Sequence, residues 1–309
     1  MRKLSWPAAA VLAVAVIAAL PARADWRDDI KVLRIGTVAP RGAAYDIARL
    51  EPFRAYMQDR LGLPVMIVAM ADYDALVAAQ ASARVQYAIH SASSYVTAQA
   101  LCTCVEPVAL PSAFDGLHGF HAVLVAHAGT AIASLADARG KRLALTGADS
   151  VTGRLVPLNA FAAEGIDAPA DFSAVLTAAD PEQAVTMLFT DEADLAAGWS
   201  SLSGDAATGY SFGVFTRMVA SGALAMDRLK IVWQSPLIPF GPHVVRRDLP
   251  AELKTLIADA LMAMDSAAPD ALDAVDNSSI GGGGFVPASA GDYSVIEGLV
   301  SPSDTTGGG

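Results

Sequence analysis

The residues best suited to chemistry lie in one short segment, at the junction of a predicted strand and a predicted helix. Ser150 and Thr152 follow the apolar strand at residues 142–146, and they stand where the next helix begins. Backbone N–H groups at a helix start have no intrahelical acceptor, and the helix dipole adds positive charge there. Together with two hydroxyls, these groups predict a site for a small anion. The segment holds no nucleophile paired with a base, so it predicts ligand binding and not catalysis.

The first 24 residues have the pattern of an export signal. Arg2 and Lys3 precede an apolar run at residues 8–20, and Ala22-Arg23-Ala24 has the small-residue pattern of a cleavage site. We predict cleavage after Ala24 and a periplasmic mature chain. The leader holds three of the 21 basic residues, so the mature chain has 18 against 32 acidic residues, a net charge of −14. This charge disfavours a nucleic-acid partner, but it allows a small anion held by local dipoles.

The two cysteines, Cys102 and Cys104, are separated by a single residue. In an extended segment their side chains would point to opposite faces, and a bridge between them would close a very small ring. We therefore expect two thiols that are not bonded to each other, which is unusual in an exported protein. Soft thiolates bind thiophilic species, so this pair is an alternative ligand site.

Beyond the leader, short apolar strands alternate with helices. Phe53, Met57 and Leu61 recur at helical spacing, and Gly62 predicts the end of that helix. This alternation predicts an α/β fold with two lobes, each a mainly parallel sheet flanked by helices. The predicted division places lobe 1 at residues 25–117 and 236–290, lobe 2 at 118–235, and a C-terminal segment with a flexible Gly-rich end at 291–309.

Five segments carry a resemblance to a known family when they are taken in order. They are Leu33-Arg34-Ile35-Gly36, Asp72-Tyr73-Asp74-Ala75-Leu76, residues 85–95, residues 140–157 and Ser235-Pro236-Leu237-Ile238-Pro239. This set resembles the phosphonate-type periplasmic solute-binding proteins of ABC importers. The resemblance implies the type II periplasmic binding protein fold, whose two lobes close on a ligand through a hinge. It also implies a monomer that captures a phosphonate, phosphate or phosphite and delivers it to an ABC permease.

The resemblance assigns the anion site residue by residue. In the family a Ser-Thr-Ser-Gly turn holds the oxyanion, and the matching residues here are Ser150, Val151, Thr152 and Gly153. The middle hydroxyl of the family pattern is lost, although the N–H of Val151 can still donate. We expect an anion site weakened by about one hydrogen bond.

The first lobe both keeps and departs from the family pattern. Tyr73 and Tyr95 match two tyrosines that the family uses for its ligand. In the family's Val-Asp-x-Ala-x-x-Gly pattern, Gln86 and Ser91 replace the Asp and the Gly. His90 is expected to enter the cleft beside Ser91, so the ligand is expected to differ from a plain phosphonate.

Two classes of function stay open at this point. The first is the transport receptor for a small oxyanion. The alternative is a periplasmic sensor that binds arsenite through Cys102 or Cys104 and signals to a histidine kinase, since the family includes such sensors. An enzyme is disfavoured because the chain has no Walker loop, catalytic triad order or metal motif. His118, His121 and His127 lack an accompanying carboxylate pattern, so no metal or other cofactor is expected.

Overall fold

The computed structural model describes residues 26–276, 282–297 and 299, and it contains two β-sheets flanked by helices. The predicted leader at residues 1–24 and the Gly-rich end lie outside the described residues. The chain forms four strands of the first sheet, then the second sheet, and then returns to add two more strands to the first. This path is the one expected for two lobes joined by crossing segments.

The first sheet has six strands, and its interior is apolar on both faces. The strands are β1 (Leu33–Val38), β2 (Val65–Met70), β3 (Tyr87–Ile89), β4 (Val105–Ala113), β11 (His243–Arg246) and β12 (Gly282–Pro287). Their order is β12-β4-β11-β3-β1-β2. β1 lies between β2 and β3 and is parallel to both. β1 is buried at Leu33, Ile35, Gly36 and Thr37, and Arg34 is its exposed residue.

Eight helices pack around the first sheet or precede it. They are α1 (Trp26–Asp29), α2 (Ala43–Arg49), α3 (Glu51–Leu61), α4 (Tyr73–Ala81), α5 (Ala92–Cys102), α9 (Ala251–Met262), α10 (Met264–Ala267) and α11 (Pro269–Val275). The prediction for α3 is confirmed, because Phe53, Met57 and Leu61 are buried and Gly62 ends the helix in the left-handed conformation, with φ of 64°. Glycine adopts that conformation without a steric penalty.

Among the described residues, the second sheet has six strands, and three helices pack against it. The strands are β5 (Gly119–His127), β6 (Arg142–Leu145), β7 (Ala174–Thr177), β8 (Leu195–Ser200), β9 (Leu229–Gln234) and β10 (Ile238–Pro239), and the helices are α6 (Val156–Ala163), α7 (Pro181–Thr186) and α8 (Val214–Ala220). Val123 and Val125 of β5 pack into one apolar cluster, and Leu124 and Ala126 pack into another. Alternate residues of a strand face opposite sides, so helices cover this sheet on both faces.

Both sheets are mixed, and the prediction of mainly parallel sheets is wrong in this detail. In the first sheet, β11 lies between β3 and β4 and is antiparallel to both. In the second sheet, β5 is antiparallel to β8, β9 and β10, while β6 is parallel to β7 and β8. The antiparallel pairs arise where the chain crosses between the lobes, because a returning strand enters its sheet in the opposite direction.

The lobe limits differ from the prediction at one place. Ile238 and Pro239, which the sequence places in lobe 1, pair with β5 of the second sheet, so the return crossing follows β10. The described part of the C-terminal segment is packed, since Tyr293 and Ile296 are fully buried. These two residues share one apolar cluster with Tyr95 of the first lobe and Ala122 and Val156 of the second. The C-terminal segment therefore contacts both lobes.

Candidate functional site

A cavity of 520 Å³ lies between the two lobes, and both lobes and the C-terminal segment contribute to it. Its residues come from the starts of α4 and α5 on one side and from the loop before α6 on the other. They are Tyr73, Asp74, Val77, Ser93, Ser94, Thr97, Ala148, Asp149, Val151, Leu155 and Leu299. We refer to it as the main cavity. Ligands of open α/β sheets bind at the carboxyl ends of strands, which is where these segments begin.

The start of α5 is fixed by a reciprocal pair of serines. The Oγ of Ser91 accepts from the N–H of Ser94 at 3.1 Å, and the Oγ of Ser94 accepts from the N–H of Ser91 at 3.0 Å. Such a capping box satisfies two N–H groups at the end of a helix. The hydroxyl of Ser93 lies 3.1 Å from that of Ser91. The capping box therefore brings several hydroxyls together at the cleft.

The start of α4 presents Tyr73 to the cleft. Asp72 caps this helix, and its Oδ1 accepts from the N–H of Ala75 at 2.8 Å. The cap places Tyr73 in the first turn with 41% of its surface exposed. Desolvation raises the pKa of Tyr73 above its usual value, which already lies well above neutral pH. The protonated hydroxyl can donate to an anion.

The loop before α6 forms a short π-helix, Val151–Leu155, where the sequence predicted an α-helix start. Pro157 has no N–H and cannot donate to the carbonyl of Gly153, as an α-helix would require. That carbonyl instead accepts from the N–H of Thr146 at 3.0 Å, which ties the turn to the end of β6. Ser150 caps the turn, and its Oγ accepts from the N–H of Gly153 at 3.2 Å.

Gly153 is required by the close approach of this turn to β6. A Cβ atom at position 153 would lie 1.9 Å from the Oγ1 of Thr146 and 2.8 Å from the Oγ of Ser150. The Thr146 hydroxyl is buried and has no hydrogen-bond partner among the described residues. Arg154 turns away from the cleft, donating to the carbonyl of Thr146 at 2.8 Å and to the Oγ1 of Thr177 at 2.9 Å. The turn thus packs directly on the strand end without a side chain between them.

The structure brings only some of the predicted site residues to the main cavity. Tyr73 and Val151 line it, and Thr152 is half-buried in the adjoining turn. Tyr95 lies outside it, because its side chain is 1% exposed and its ring packs 4.9 Å from that of Tyr293. The Tyr95 hydroxyl is buried and has no partner among the described residues, and its burial raises its pKa to about 12.

His90 is 3% exposed, and both of its ring nitrogens are occupied within the protein. Its Nδ1 lies 2.9 Å from the Oγ of Ser94, and its Nε2 lies 2.8 Å from the Oε1 of Gln80. Burial lowers the pKa of His90 to about 3, so the ring is neutral at physiological pH. His90 therefore helps to fix the start of α5. Both of its ring nitrogens already have a hydrogen-bond partner within the protein.

Cys102 and Cys104 are joined by a disulfide, so the expectation of two unbonded thiols is wrong. The reason is the backbone at Thr103, which caps α5 in the left-handed conformation with φ of 48°. The segment is therefore folded and not extended, and the two Cα atoms are 5.0 Å apart, within the normal disulfide range. In this state neither sulfur is a thiolate that could bind arsenite.

Several residues of the main cavity were not anticipated from the sequence. Ser93 and Thr97 are four residues apart on α5, so helical periodicity could have placed them on one face. Asp149 immediately precedes the Ser150 cap, and Asp74 adjoins Tyr73. Leu299 reaches the cavity only through the fold of the C-terminal segment, and no local signal indicates it.

The electrostatics of the main cavity are unusual for an anion site. Its lining residues include two carboxylates, Asp74 and Asp149, and no Lys, Arg or His. Arg41 lies in an adjacent cavity of 330 Å³ that Tyr73 also lines, but Arg41 is paired at 2.8 Å with the buried Asp46. An anion in the main cavity must therefore be held by hydroxyls and backbone N–H groups. Such neutral donors favour a small, well-oriented anion over a highly charged one.

A second interlobe cavity, of 250 Å³, adjoins the main one. We refer to it as the apolar cavity, because most of its wall is aromatic or aliphatic. Tyr73 lines both cavities, and Ser91 of the predicted site lines the apolar one.

The described residues contain neither a metal-binding cluster nor a membrane-spanning helix. No group of three or more His, Cys, Asp or Glu side chains in residues 26–276, 282–297 and 299 is placed to hold a metal ion. Across the same part of the chain, no helix has the length and apolar character needed to cross a bilayer.

Comparison with known proteins identifies the family. The model of the family described as ABC transporter, phosphonate, periplasmic substrate-binding protein matches residues 37–293. The phosphonates-binding periplasmic protein of Escherichia coli (strain K12) is 26% identical over 247 residues, which are 78% of this chain and 68% of that protein.

Solved structures show the same fold. A binding protein component of an ABC phosphonate transporter from Pseudomonas aeruginosa superposes with a TM-score of 0.54 at 21% identity, covering 87% of this chain and 85% of that one. A Prochlorococcus marinus protein in complex with methylphosphonate has a TM-score of 0.54 at 16% identity, covering 87% of this chain and 97% of that one. Because the family model spans well over half of its length, the chain belongs to the periplasmic substrate-binding proteins of phosphonate ABC transporters.

Proposed function

We propose that this protein captures a small phosphonate in the main cavity and delivers it to an ABC importer. The observation that carries the proposal is a single cavity that residues of both lobes line. Hydroxyls at the starts of α4 and α5 face the loop that leads into α6, and residues from both lobes line one cavity. A ligand held by both lobes stabilises the closed form relative to the open form, because only the closed form makes both sets of contacts.

Phosphonate is the oxyanion that the family supports best. The E. coli relative is named for phosphonates, and the P. marinus relative was solved with methylphosphonate. The neutral donors and the two carboxylates of the main cavity disfavour a second negative charge on the ligand. We therefore rank a monoanionic phosphonate above phosphate. The proposal also includes export by removal of residues 1–24, a monomeric receptor and a permease partner.

The alternative as an arsenite sensor gains no support from the cysteines. The disulfide occupies both sulfurs, and neither cysteine is among the residues that line the main cavity. Binding of arsenite would first require reduction of this bond. The transport receptor is therefore the function proposed here.

The proposal is tested by calorimetric titration of the mature chain in phosphate-free buffer. The ligands are methylphosphonate, phosphite, phosphate, sulfate and, as the probe of the alternative, arsenite. We expect methylphosphonate to bind more tightly than phosphate, and arsenite to give no heat. Failure of the phosphonates to bind would overturn the proposed function.

A matched pair of variants tests the site. Thr152→Val keeps the shape of the side chain and removes the hydroxyl next to Val151, which lines the main cavity. Thr255→Val makes the same change at an exposed position of α9. A hydrogen bond to a charged group contributes about 1.5–3 kcal/mol, so Thr152→Val should weaken binding by roughly 10- to 100-fold. Thr255→Val should bind as the unmodified chain does. Equal affinities in the two variants would remove Thr152 from the site.

A further inference from the structure

The apolar cavity is the feature of the cleft that the proposed function leaves unexplained. Its wall is built mainly from carbon, and the side chains that dominate it are Ile89, Pro111, Phe120, Pro239, Phe240 and Phe285. The rings of Phe120 and Phe240 are 5.7 Å apart, which is a normal aromatic contact. A cavity of about 150 Å³ with such a wall is large enough for benzene, so 250 Å³ has room for a ring or a short chain.

The wall of this cavity carries no net charge at neutral pH. Its two histidines, His90 and His243, are 3% and 2% exposed. His90 is hydrogen-bonded to Gln80 and Ser94, and the Nδ1 of His243 is hydrogen-bonded to the hydroxyl of Tyr87. Burial lowers the pKa of both histidines to about 3. A charged group placed in the cavity would lose its hydration without gaining an ionic partner among these lining residues.

The apolar cavity and the main cavity meet at the start of α5. Tyr73 lines both cavities. Ser91 lines the apolar cavity and Ser93 the main one, and their hydroxyl oxygens are 3.1 Å apart. The Ser91 hydroxyl also donates to the Oγ of Ser94 at 3.0 Å. An anion that accepts from Ser93, or from Ser91 in place of that bond, would therefore lie at the border, within reach of both cavities.

We propose that the ligand is a phosphonate with an uncharged, apolar substituent, either an alkyl chain of several carbons or an aryl ring. The phosphonate group lies at the border formed by Tyr73, Ser91 and Ser93, and the substituent occupies the apolar cavity. This inference rests on the proposed function and deepens it by naming the class of substrate. A substituent that pointed instead toward Asp74 and Asp149 of the main cavity would favour an ammonium group. The two cavities therefore predict opposite preferences for the charge of the substituent.

The test is a series of alkylphosphonates titrated into the mature chain. The ligands are methyl-, ethyl-, propyl-, butyl- and phenylphosphonate, and 2-aminoethylphosphonate serves as the cationic counterpart of propylphosphonate with the same number of heavy atoms. Burial of one methylene contributes about 0.8 kcal/mol, which corresponds to a roughly fourfold gain in affinity for each carbon added. We expect that gain through butyl, and we expect propylphosphonate to bind more tightly than 2-aminoethylphosphonate. A flat series, or tighter binding of the amine, would overturn the inference.

A variant that fills the apolar cavity gives an independent test. Ala92 lines this cavity in the first turn of α5, so Ala92→Leu reduces its volume, and Ala100→Leu makes the same change at an exposed position of the same helix. We expect the affinity of Ala92→Leu to rise less with each added carbon than that of the unmodified chain, whereas Ala100→Leu keeps the full gain. Persistence of the full gain in Ala92→Leu would place the substituent elsewhere and overturn the inference.

The outcomes also separate this inference from the proposed function. If methylphosphonate binds and longer chains bring no gain, the inference fails and the proposed function stands. If no member of the series binds, the proposed function fails, and the inference fails with it. Should Ala92→Leu not fold, the series on the unmodified chain decides the question alone.

Discussion

Replacement of Gly153 by alanine should damage the turn that leads into α6, for a reason that the geometry makes quantitative. The added Cβ would lie 1.9 Å from the Oγ1 of Thr146 and 2.8 Å from the Oγ of Ser150. Optimal separations between non-bonded heavy atoms are about 3.5–4.0 Å, so both side chains must move or the turn must leave the end of β6. Movement of Ser150 would also break the cap that it forms with the N–H of Gly153.

The expected cost combines two contributions. Overpacking of a well-packed site costs about 1–3 kcal/mol, and loss of an N-cap costs about 0.5–2 kcal/mol. We therefore expect Gly153→Ala to lower the free energy of unfolding by roughly 2–4 kcal/mol. A shift of about 2–4 °C in melting temperature per kcal/mol is typical for a chain of 150–250 residues, so the loss is readily measured.

A double variant attributes the loss to the close approach of positions 146 and 153. Thr146→Ala removes the Oγ1 that makes the shortest contact and leaves the Cβ of residue 146 at 3.0 Å. The Thr146 hydroxyl is buried without a partner among the described residues, so its removal is inexpensive. We expect the double variant to be more stable than Gly153→Ala, with a coupling of about 0.5–3 kcal/mol.

The assay is differential scanning calorimetry of the single variants, the double variant and one control. Gly198→Ala lies in β8 of the same lobe, and its added Cβ would meet nothing closer than 3.8 Å. This control should be neutral or slightly more stable, because alanine restricts the unfolded chain more than glycine does. A Gly153→Ala melting temperature equal to that of Gly198→Ala, or a double variant no better than Gly153→Ala, would refute the reasoning.

Three other outcomes are expected. Tyr95→Phe should leave the affinity for methylphosphonate unchanged. It should raise the free energy of unfolding by up to about 1 kcal/mol, since it removes a buried hydroxyl without a partner among the described residues. A tenfold loss of affinity in titration would show that Tyr95 contacts the ligand. Cys102→Ser combined with Cys104→Ser should not alter phosphonate affinity, because neither sulfur lines the main cavity, and a large loss by the same assay would contradict this. His90 and His243 have pKa values of about 3 when folded, so the unfolded chain binds more protons below its ordinary histidine pKa of about 6.5. Stability should therefore fall as pH falls from 6.5 toward 3, by about 1.4 kcal/mol per pH unit for each histidine, and melting curves at pH 7, 6 and 5 that do not differ would show that the rings are not held neutral.

Local features of the site could be predicted from the sequence because they depend on neighbours within a few residues. Ser150 was expected at a helix start, and it caps the turn that precedes α6. The helix that buries Phe53, Met57 and Leu61 was likewise expected to end at Gly62. Capping, helical periodicity and the left-handed preference of glycine act over one or two turns, so the residue types alone specify them.

The prediction for the turn before α6 was incomplete, because its conformation depends on contacts with a distant strand as well as on local residues. The turn at Gly153 is a short π-helix, and the Gly153 carbonyl, deprived of its α-helical donor by Pro157, accepts from the N–H of Thr146 at the end of β6. The absence of an N–H on proline was readable in the sequence. The identity of the replacement donor was not, because it depends on how β6 packs against the turn.

The sequence by itself determined the alternation of strands and helices, the caps and the family resemblance. Only the tertiary structure decided that Tyr95 is buried against Tyr293 and that Leu299 reaches the main cavity. It also decided that Cys102 and Cys104 form a disulfide, because the left-handed backbone of Thr103 brings them together. The same is true of the apolar cavity, whose wall joins residues from β3, β4, β5 and β12. Such outcomes depend on which distant segments exclude water together, and that choice is made by the packing of the whole chain and not by the properties of any one segment.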